Sequence, residues 1–174
     1  MNGKFITLEG SEGSGKSTQS ALICEYLKKQ GKDVLQLREP GGVKISEAIR
    51  NLLLDVKNTD MSSECETLLY MAARAQVVKA VIAPALKAGK IIVCDRFLDS
   101  TIAYQGYGNG MDVDFIKRLG VFVTGGIIPD LTLLFDIETE EGLSRTNAQK
   151  DRIELRSPGY HQKVRQGYLK LASQ

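Results

Sequence analysis

The sequence predicts an α/β fold in which helices cover both faces of a parallel β-sheet. Three observations lead there. Short apolar runs alternate with helical patterns along the whole chain. The runs have continuous apolar cores (Val34-Leu35, Ile91-Ile92-Val93, Leu133-Leu134-Phe135), as strands do when both sheet faces are buried. Residues 10–17, Gly-Ser-Glu-Gly-Ser-Gly-Lys-Ser, fit the phosphate-loop pattern G-x-x-x-x-G-K-[ST] at every fixed position.

The expected strands are Phe5–Glu9, Asp33–Arg38, Ile91–Asp95 and Leu131–Asp136. The expected helices are Lys16–Gln30, Lys44–Leu54, Glu64–Ala88, Asp112–Val123, Glu140–Arg145 and Tyr160–Ala172. In the first helix Leu22, Ile23, Tyr26 and Leu27 are read as one apolar face, and Gly31 is placed to end it. Pro84, late in the third, predicts a kink or break. In such sheets ligands lie at the carboxyl ends of the strands. Glu9, Arg38, Asp95 and Asp136 all fall at these ends.

The loop after the first strand carries the chemistry. Gly10, Gly13 and Gly15 let the backbone turn tightly, so that N–H groups from Ser11 through Thr18 can face phosphate oxygens. The helix opening at Lys16 aims its positive dipole end at the same anion. Lys16 can reach the outer phosphates, and Ser17 can ligate Mg²⁺. Asp95-Arg96-Phe97 follows the third strand; Asp95 is placed to hold Mg²⁺, and Arg96 is a fork-shaped phosphate donor. Arg38-Glu39-Pro40-Gly41-Gly42 forms a turn that aims Arg38 at an anion. Tyr70 and Arg74 share one helix face, where a ring and a guanidinium can stack on a base and bond its edge. Ser100–Gly108 reads as a helix running into a Gly-rich turn. Arg145, Lys150, Arg152 and Arg156 form a mobile basic segment, read as a lid over roughly residues 145–157. Taken one at a time, these are also what a surface ion pair, a turn, a core aromatic or a solvated loop would show. His161, the single histidine, is read as an exposed helix residue.

The 174 residues suffice for one domain, 1–174, with a buried core. Basic and acidic residues number 23 and 21, a balance of +2 that leaves no footprint for nucleic acid or membrane. No apolar stretch is read as approaching a membrane span, and no leader is expected before the first strand. Cys24, Cys65 and Cys94 are odd in number and lack metal-ligand spacing, so reduced thiols and a cytoplasmic location are expected.

Taken together, Gly10–Ser17, Arg38–Gly42, Leu68–Gln76, Asp95–Gly108 and Asp151–Glu154 resemble the bacterial thymidylate kinases in order and spacing, over nearly the whole chain. The resemblance implies a three-layer P-loop kinase fold with a lid, and transfer of phosphate from ATP with Mg²⁺ to dTMP. It implies that Lys16 and Ser17 serve the ATP phosphates and Mg²⁺, with Asp95 in the Mg²⁺ shell. Glu12 would lie near the sugar 3′-hydroxyl and acceptor phosphate. Arg38 and Arg96 would bind the monophosphate, Tyr70 would stack on thymine, and Arg74 would bond the base. Thr101 and Gln105 would line the base-side strip, and Tyr104 would crowd the 2′ position. With an acid inside the loop, Arg152 or Arg145 of the lid would supply positive charge. A homodimer through helices that include Glu64–Ala88 is implied as well.

The chain departs from that pattern in places. Tyr70 replaces a Phe. Ala73 stands where an Asp often precedes the base-binding Arg, so Arg74 is expected to be less firmly oriented. Asn109 replaces a frequent Arg, and Ser46 a usual Gly. The family's further strand and helix after Leu171-Ala172 are expected to be missing, with part of the adenine pocket. Two other functions stay open on the residues alone. A deoxynucleoside kinase would need Glu12 or Asp95 as a base. A truncated, non-catalytic nucleotide-binding homologue is the second. A GTPase-type switch lacks its Asn-Lys-x-Asp motif.

Overall fold

A computed structural model describes residues 3–146 and 150–174, so part of the expected lid lies outside the described residues. Four parallel strands, β1 (Lys4–Gly10), β2 (Val34–Arg38), β3 (Ile91–Asp95) and β4 (Leu131–Phe135), form one sheet in the order β2-β3-β1-β4. The helices are α1 (Lys16–Lys29), α2 (Lys44–Leu54), α3 (Ser63–Val77), α4 (Ala83–Lys87), α5 (Leu98–Thr101), α6 (Val113–Thr124), α7 (Thr139–Ser144) and α8 (Pro158–Ala172).

The pleat sorts the strand residues into two cores, which makes the three layers. Phe5, Leu35, Leu37, Ile92 and Cys94 pack with Val77, Val78, Ile82 and Leu86 on one face. Ile6, Leu8, Val34, Ile91 and Val93 pack with Ile23, Cys24 and Leu27 of α1 on the other. The inward stripe of α1 is therefore rotated from the expected one. Leu22 and Tyr26 are exposed, while Ser20, Ile23, Cys24 and Leu27, spaced three and four apart, face the sheet.

Pro84 does not break the chain. Residues Val78–Ile82 wind as a π-helix between α3 and α4, so the axis continues from Ser63 to Lys87. The wider turn accommodates the residue that cannot donate a backbone hydrogen bond. The continuous helix, 25 residues with mean hydropathy 1.3 in its most apolar window, is long and apolar enough to cross a membrane by those two measures, contrary to the reading from sequence. Its inward side nevertheless carries buried Glu66 and Arg74, each bonded to other elements, which is the arrangement of a core helix. Residues Ile102–Gly108 form a second π-helical stretch after α5. Its extra residue per turn turns Tyr104 and Gln105 toward the strand ends.

Candidate functional site

A cavity of about 300 Å³ opens at the carboxyl ends of β1, β2 and β3. The structure brings Glu12, Gly13, Lys16, Ser17, Arg38, Tyr70, Arg74, Asp95, Arg96, Thr101, Tyr104 and Gln105 to its wall. Most of the polar side chains there are held by specific partners.

The phosphate loop starts where β1 ends. Lys16 is buried, and its Nζ donates to the Ser11 carbonyl (2.6 Å) and Ser14 Oγ (3.1 Å), while Ser14 Oγ donates to the Ser11 carbonyl (2.9 Å). Burial, then repulsion from Arg96, brings the Lys16 ammonium down to about 7. Ser17 Oγ donates to Asp95 Oδ2 at 2.6 Å, so a hydroxyl and a carboxylate meet at the head of α1. Gly13 has φ +67°, and a Cβ there would lie 2.1 Å from the Gly142 carbonyl oxygen. A Cβ on Gly142 would in turn meet the Glu12 carbonyl at 2.5 Å, so α7 lies directly against the loop.

Arg96 is the centre of the polar network. Its backbone is in the left-handed region (φ 72°), rare for a residue with a Cβ. That twist turns the side chain back across the strand ends. Nη1 donates to the Gly10 carbonyl (3.0 Å), Tyr168 Oη (3.0 Å) and Ser100 Oγ (3.3 Å), and Nη2 to Glu12 Oε1 (3.2 Å). The guanidinium also lies 4.9 Å from the Tyr104 ring centroid. Tyr104 Oη donates to Glu12 Oε1 at 2.6 Å. Burial by itself would raise the Glu12 carboxyl; His161, Arg96, Tyr104 and Lys16 outweigh it and bring it down to about 2.

On the opposite wall Arg74 is firmly held despite Ala73, which corrects the expectation. Its Nε donates to Glu39 Oε2 (2.7 Å), Nη1 to Thr101 Oγ1 (2.9 Å) and Nη2 to the Phe97 carbonyl (2.8 Å). The carboxylate comes from the Arg38–Gly42 turn rather than from the neighbouring helical position. Ser46 Oγ donates to the Ala73 carbonyl (2.8 Å), using its hydroxyl to tie α2 to α3. Arg38 is half exposed, bonded to Glu47 (3.0 Å) and the Pro40 carbonyl (3.2 Å). Arg50 reaches the same carbonyl (3.2 Å) and joins the wall, a cation the sequence reading missed.

The basic-segment residues lie elsewhere than expected. Arg152 is buried, donating to the Leu53 carbonyl (2.7 Å) and to Glu66 Oε2 (2.6 Å), and does not line the cavity. Arg145 pairs with Glu141 one turn back on the surface. Both guanidiniums satisfy nearby acceptors instead of facing the phosphate loop. Arg156 joins Arg152 on Glu66 Oε2 (2.6 Å) and bonds Asn109, so Asn109 has its own partner in place of the usual Arg. His161 is buried rather than exposed, because Tyr160, His161, Val164 and Tyr168 all lie on the inward face of α8. A three-and-four spacing of 161, 164 and 168 is the signal that places it. Glu9 and Asp136 are likewise committed. Asp136 is gripped by Arg165 at 2.7 and 2.9 Å, and Glu9 accepts from the Phe97 amide (2.8 Å) and Ser100 Oγ (2.6 Å).

Burial, with Asp99 nearby, pushes Glu9 up to about 7. The sign follows from its ordinary value of 4.5. Between those limits the folded chain keeps a proton that the unfolded chain has released, so Glu9 makes stability fall as pH rises through this window. In urea unfolding from pH 4.5 to 8, Glu9→Gln is expected to remove a pH-dependent loss of at most about 3 kcal/mol. Equal slopes for the two proteins would show that Glu9 is not the group responsible.

The comparisons agree with this geometry. The thymidylate kinase family profile matches residues 8–174. A thymidylate kinase from Halothermothrix orenii is 50% identical over 99% of this chain and 85% of its own length. One from Geobacillus sp. is 46% identical over 99% and 84%. The crystal structure of thymidylate kinase from Ehrlichia chaffeensis superposes with a TM-score of 0.82 at 38% identity, covering 99% of this chain and 82% of that one. With the family profile over nearly the whole chain, relatives at about half identity and a shared fold, this chain is a phosphotransferase and belongs to the thymidylate kinase family.

Proposed function

We propose that the protein transfers the γ-phosphoryl group of ATP to dTMP, giving ADP and dTDP. The observation that supports this best is the placement of Arg96, bonded to Glu12 of the phosphate loop, in one cavity with Tyr70, Arg74, Thr101 and Gln105. The acceptor is already an anion, so alignment and charge neutralisation dominate and no strong general base is required. Lys16 would leave its loop carbonyl for the outer phosphates of ATP, and Arg96 and Arg38 would take the monophosphate. Tyr70 would stack on the base, Arg74 would present its held guanidinium to the base edge, and Tyr104 would exclude a 2′-hydroxyl. Glu12 would face the sugar 3′-hydroxyl and acceptor phosphate.

Ser17 and Asp95 fit Mg²⁺, which takes hard oxygens and keeps water and phosphate as its remaining ligands. When bound there, the ion supplies neutralisation of phosphate charge. We assign the assembly as a homodimer, supported by exposed Leu68 on α3 and Phe115 and Phe122 on α6, which packs against α3. The three free thiols support a reducing, cytoplasmic setting.

The test is ADP release from purified protein with ATP, Mg²⁺ and each of dTMP, dUMP, dCMP, AMP and thymidine. Turnover with dTMP in clear preference to the others is expected. Turnover with thymidine in place of dTMP would convert the assignment to a nucleoside kinase.

The contact between α7 and the loop yields a second expectation. Gly142→Ala drives a methyl into the Glu12 carbonyl and should raise the KM for ATP about tenfold, because the loop must shift. Gly159→Ala, whose methyl meets open space, is the matched control and should stay within about twofold in an ATP titration.

A further inference from the structure

Glu12 presents two oxygens, and only one of them is satisfied by the groups assigned to the reaction. Oε1 takes both the Tyr104 hydroxyl and the Arg96 guanidinium. Oε2 is buried and, among the described residues, has no hydrogen-bond partner. The two ring nitrogens of His161 share that state: buried and without a partner. These orphans face one another, with His161 Nδ1 lying 3.5 Å from Glu12 Oε2. A small ring rotation closes the gap, and leaving both unpaired would cost a buried acceptor and a buried donor their desolvation. The imidazole is confined laterally, its ring packed edge-on against Tyr160 at 5.3 Å between centroids.

Seven residues on, the same face of α8 reaches the other half of the pair. Tyr168 Oη accepts from Arg96 Nη1 (3.0 Å) and shares a hydrogen bond with Ser100 Oγ (2.7 Å). Glu12 belongs to a glycine-rich loop, and Arg96, at a strained strand end, makes one of its four hydrogen bonds to α8. One helix touches both.

We propose that His161 is a positioning residue: its Nδ1–H donates to Glu12 Oε2 and, with Tyr168 on Arg96, lets α8 set the geometry of the Glu12–Arg96 pair. This rests on the assignment of Glu12 to the acceptor side of the site. Tilting the Glu12 carboxylate would misplace Tyr104 and Arg96 together, so the loss belongs in kcat for dTMP more than in the KM for ATP.

His161 is the chain's only histidine, so its ring signals need no assignment by mutation. In a long-range ¹H–¹⁵N spectrum of the unmutated protein at neutral pH, the proton is expected on Nδ1. A neutral ring protonated on Nε2 alone would overturn the proposal without any variant having to fold. In steady-state kinetics, His161→Phe is expected to lower kcat about tenfold with the KM for ATP changed less than about twofold, and His161→Asn, which keeps a donor near the Nδ1 position, to recover most of it. In a Glu12→Gln background His161→Phe should add nothing further. If Glu12→Gln costs activity while His161→Phe costs none, or adds its full factor in that background, the assignment of Glu12 stands and the positioning role falls. If Glu12→Gln itself is silent, the acceptor-side assignment fails and takes the positioning role with it.

Discussion

Arg96→Ala is expected to lower kcat by about 10³-fold, the range seen when a guanidinium that stabilises transferring phosphate is removed. Three features point to a loss of this size. The side chain makes four hydrogen bonds from a backbone held at φ 72°, so its position is built rather than sampled. It lies over the Tyr104 ring and beside Glu12, and its removal leaves a buried carboxylate without its main cation. It also contacts the phosphate loop, α5 and α8 together. Arg96→Lys should recover little, since an ammonium cannot reproduce the fork that reaches Gly10, Tyr168 and Glu12 at once. Pre-steady-state turnover with saturating dTMP separates chemistry from binding, and a fluorescent ATP analogue reports whether the loop still binds nucleotide. A kcat within tenfold of the parent in the Ala variant, with ATP binding retained, would remove Arg96 from the transfer step.

The phosphate loop, the parallel strands and the strand ends were legible because each has a local signature: a spaced glycine-lysine motif, continuous apolar runs, an acid or base just past the last apolar residue. The parts that were not legible share a different cause. Glu9, Glu39 and Glu66 look like ordinary surface carboxylates in one dimension, yet all three are buried, and their partners lie 35 or more residues away. Nothing local marks a carboxylate that the fold will bury. Glu66 carried the faintest trace, one helical turn before Tyr70 and two before Arg74, on the face already singled out. Arg152 was read as a lid cation because its neighbours are basic and polar; Glu66, distant in sequence, captures it. His161 was read by its type rather than by its stripe on α8. Pro84 was read by its local rule, and the π-helical turn before it absorbed the effect that the rule predicts.

Glu66→Ala is expected to destabilise the fold by about 3–5 kcal/mol. The carboxylate is fully buried and its two oxygens divide four donors. Oε2 takes Arg152 and Arg156, both at 2.6 Å; Oε1 takes Gln105 at 3.0 Å and Asn109 at 3.1 Å. Removing it strands two guanidiniums, one of them buried, and unpairs two amides. Glu66→Gln should lose less than Glu66→Ala but still destabilise: its oxygen can face Arg152 and Arg156 while its NH2 faces the Gln105 and Asn109 amides, yet the negative charge that pairs the two guanidiniums is gone. For a chain of this length the loss corresponds to a fall in Tm of about 10 °C or more. Function should follow the same wiring. Gln105 and Tyr70 line the cavity, and Glu66 links Gln105 to the segment that carries Arg152 and Arg156. Loosening it should therefore raise the KM for dTMP several-fold at temperatures where the variant is still folded, with the KM for ATP nearly unchanged. Thermal unfolding together with both KM values checks the two halves. A variant within about 1 kcal/mol of the parent would mean that Arg152 and Arg156 find water or other acceptors when Glu66 is gone, and the connection between the base pocket and the basic segment would then run through the backbone contact of Arg152 with Leu54 instead.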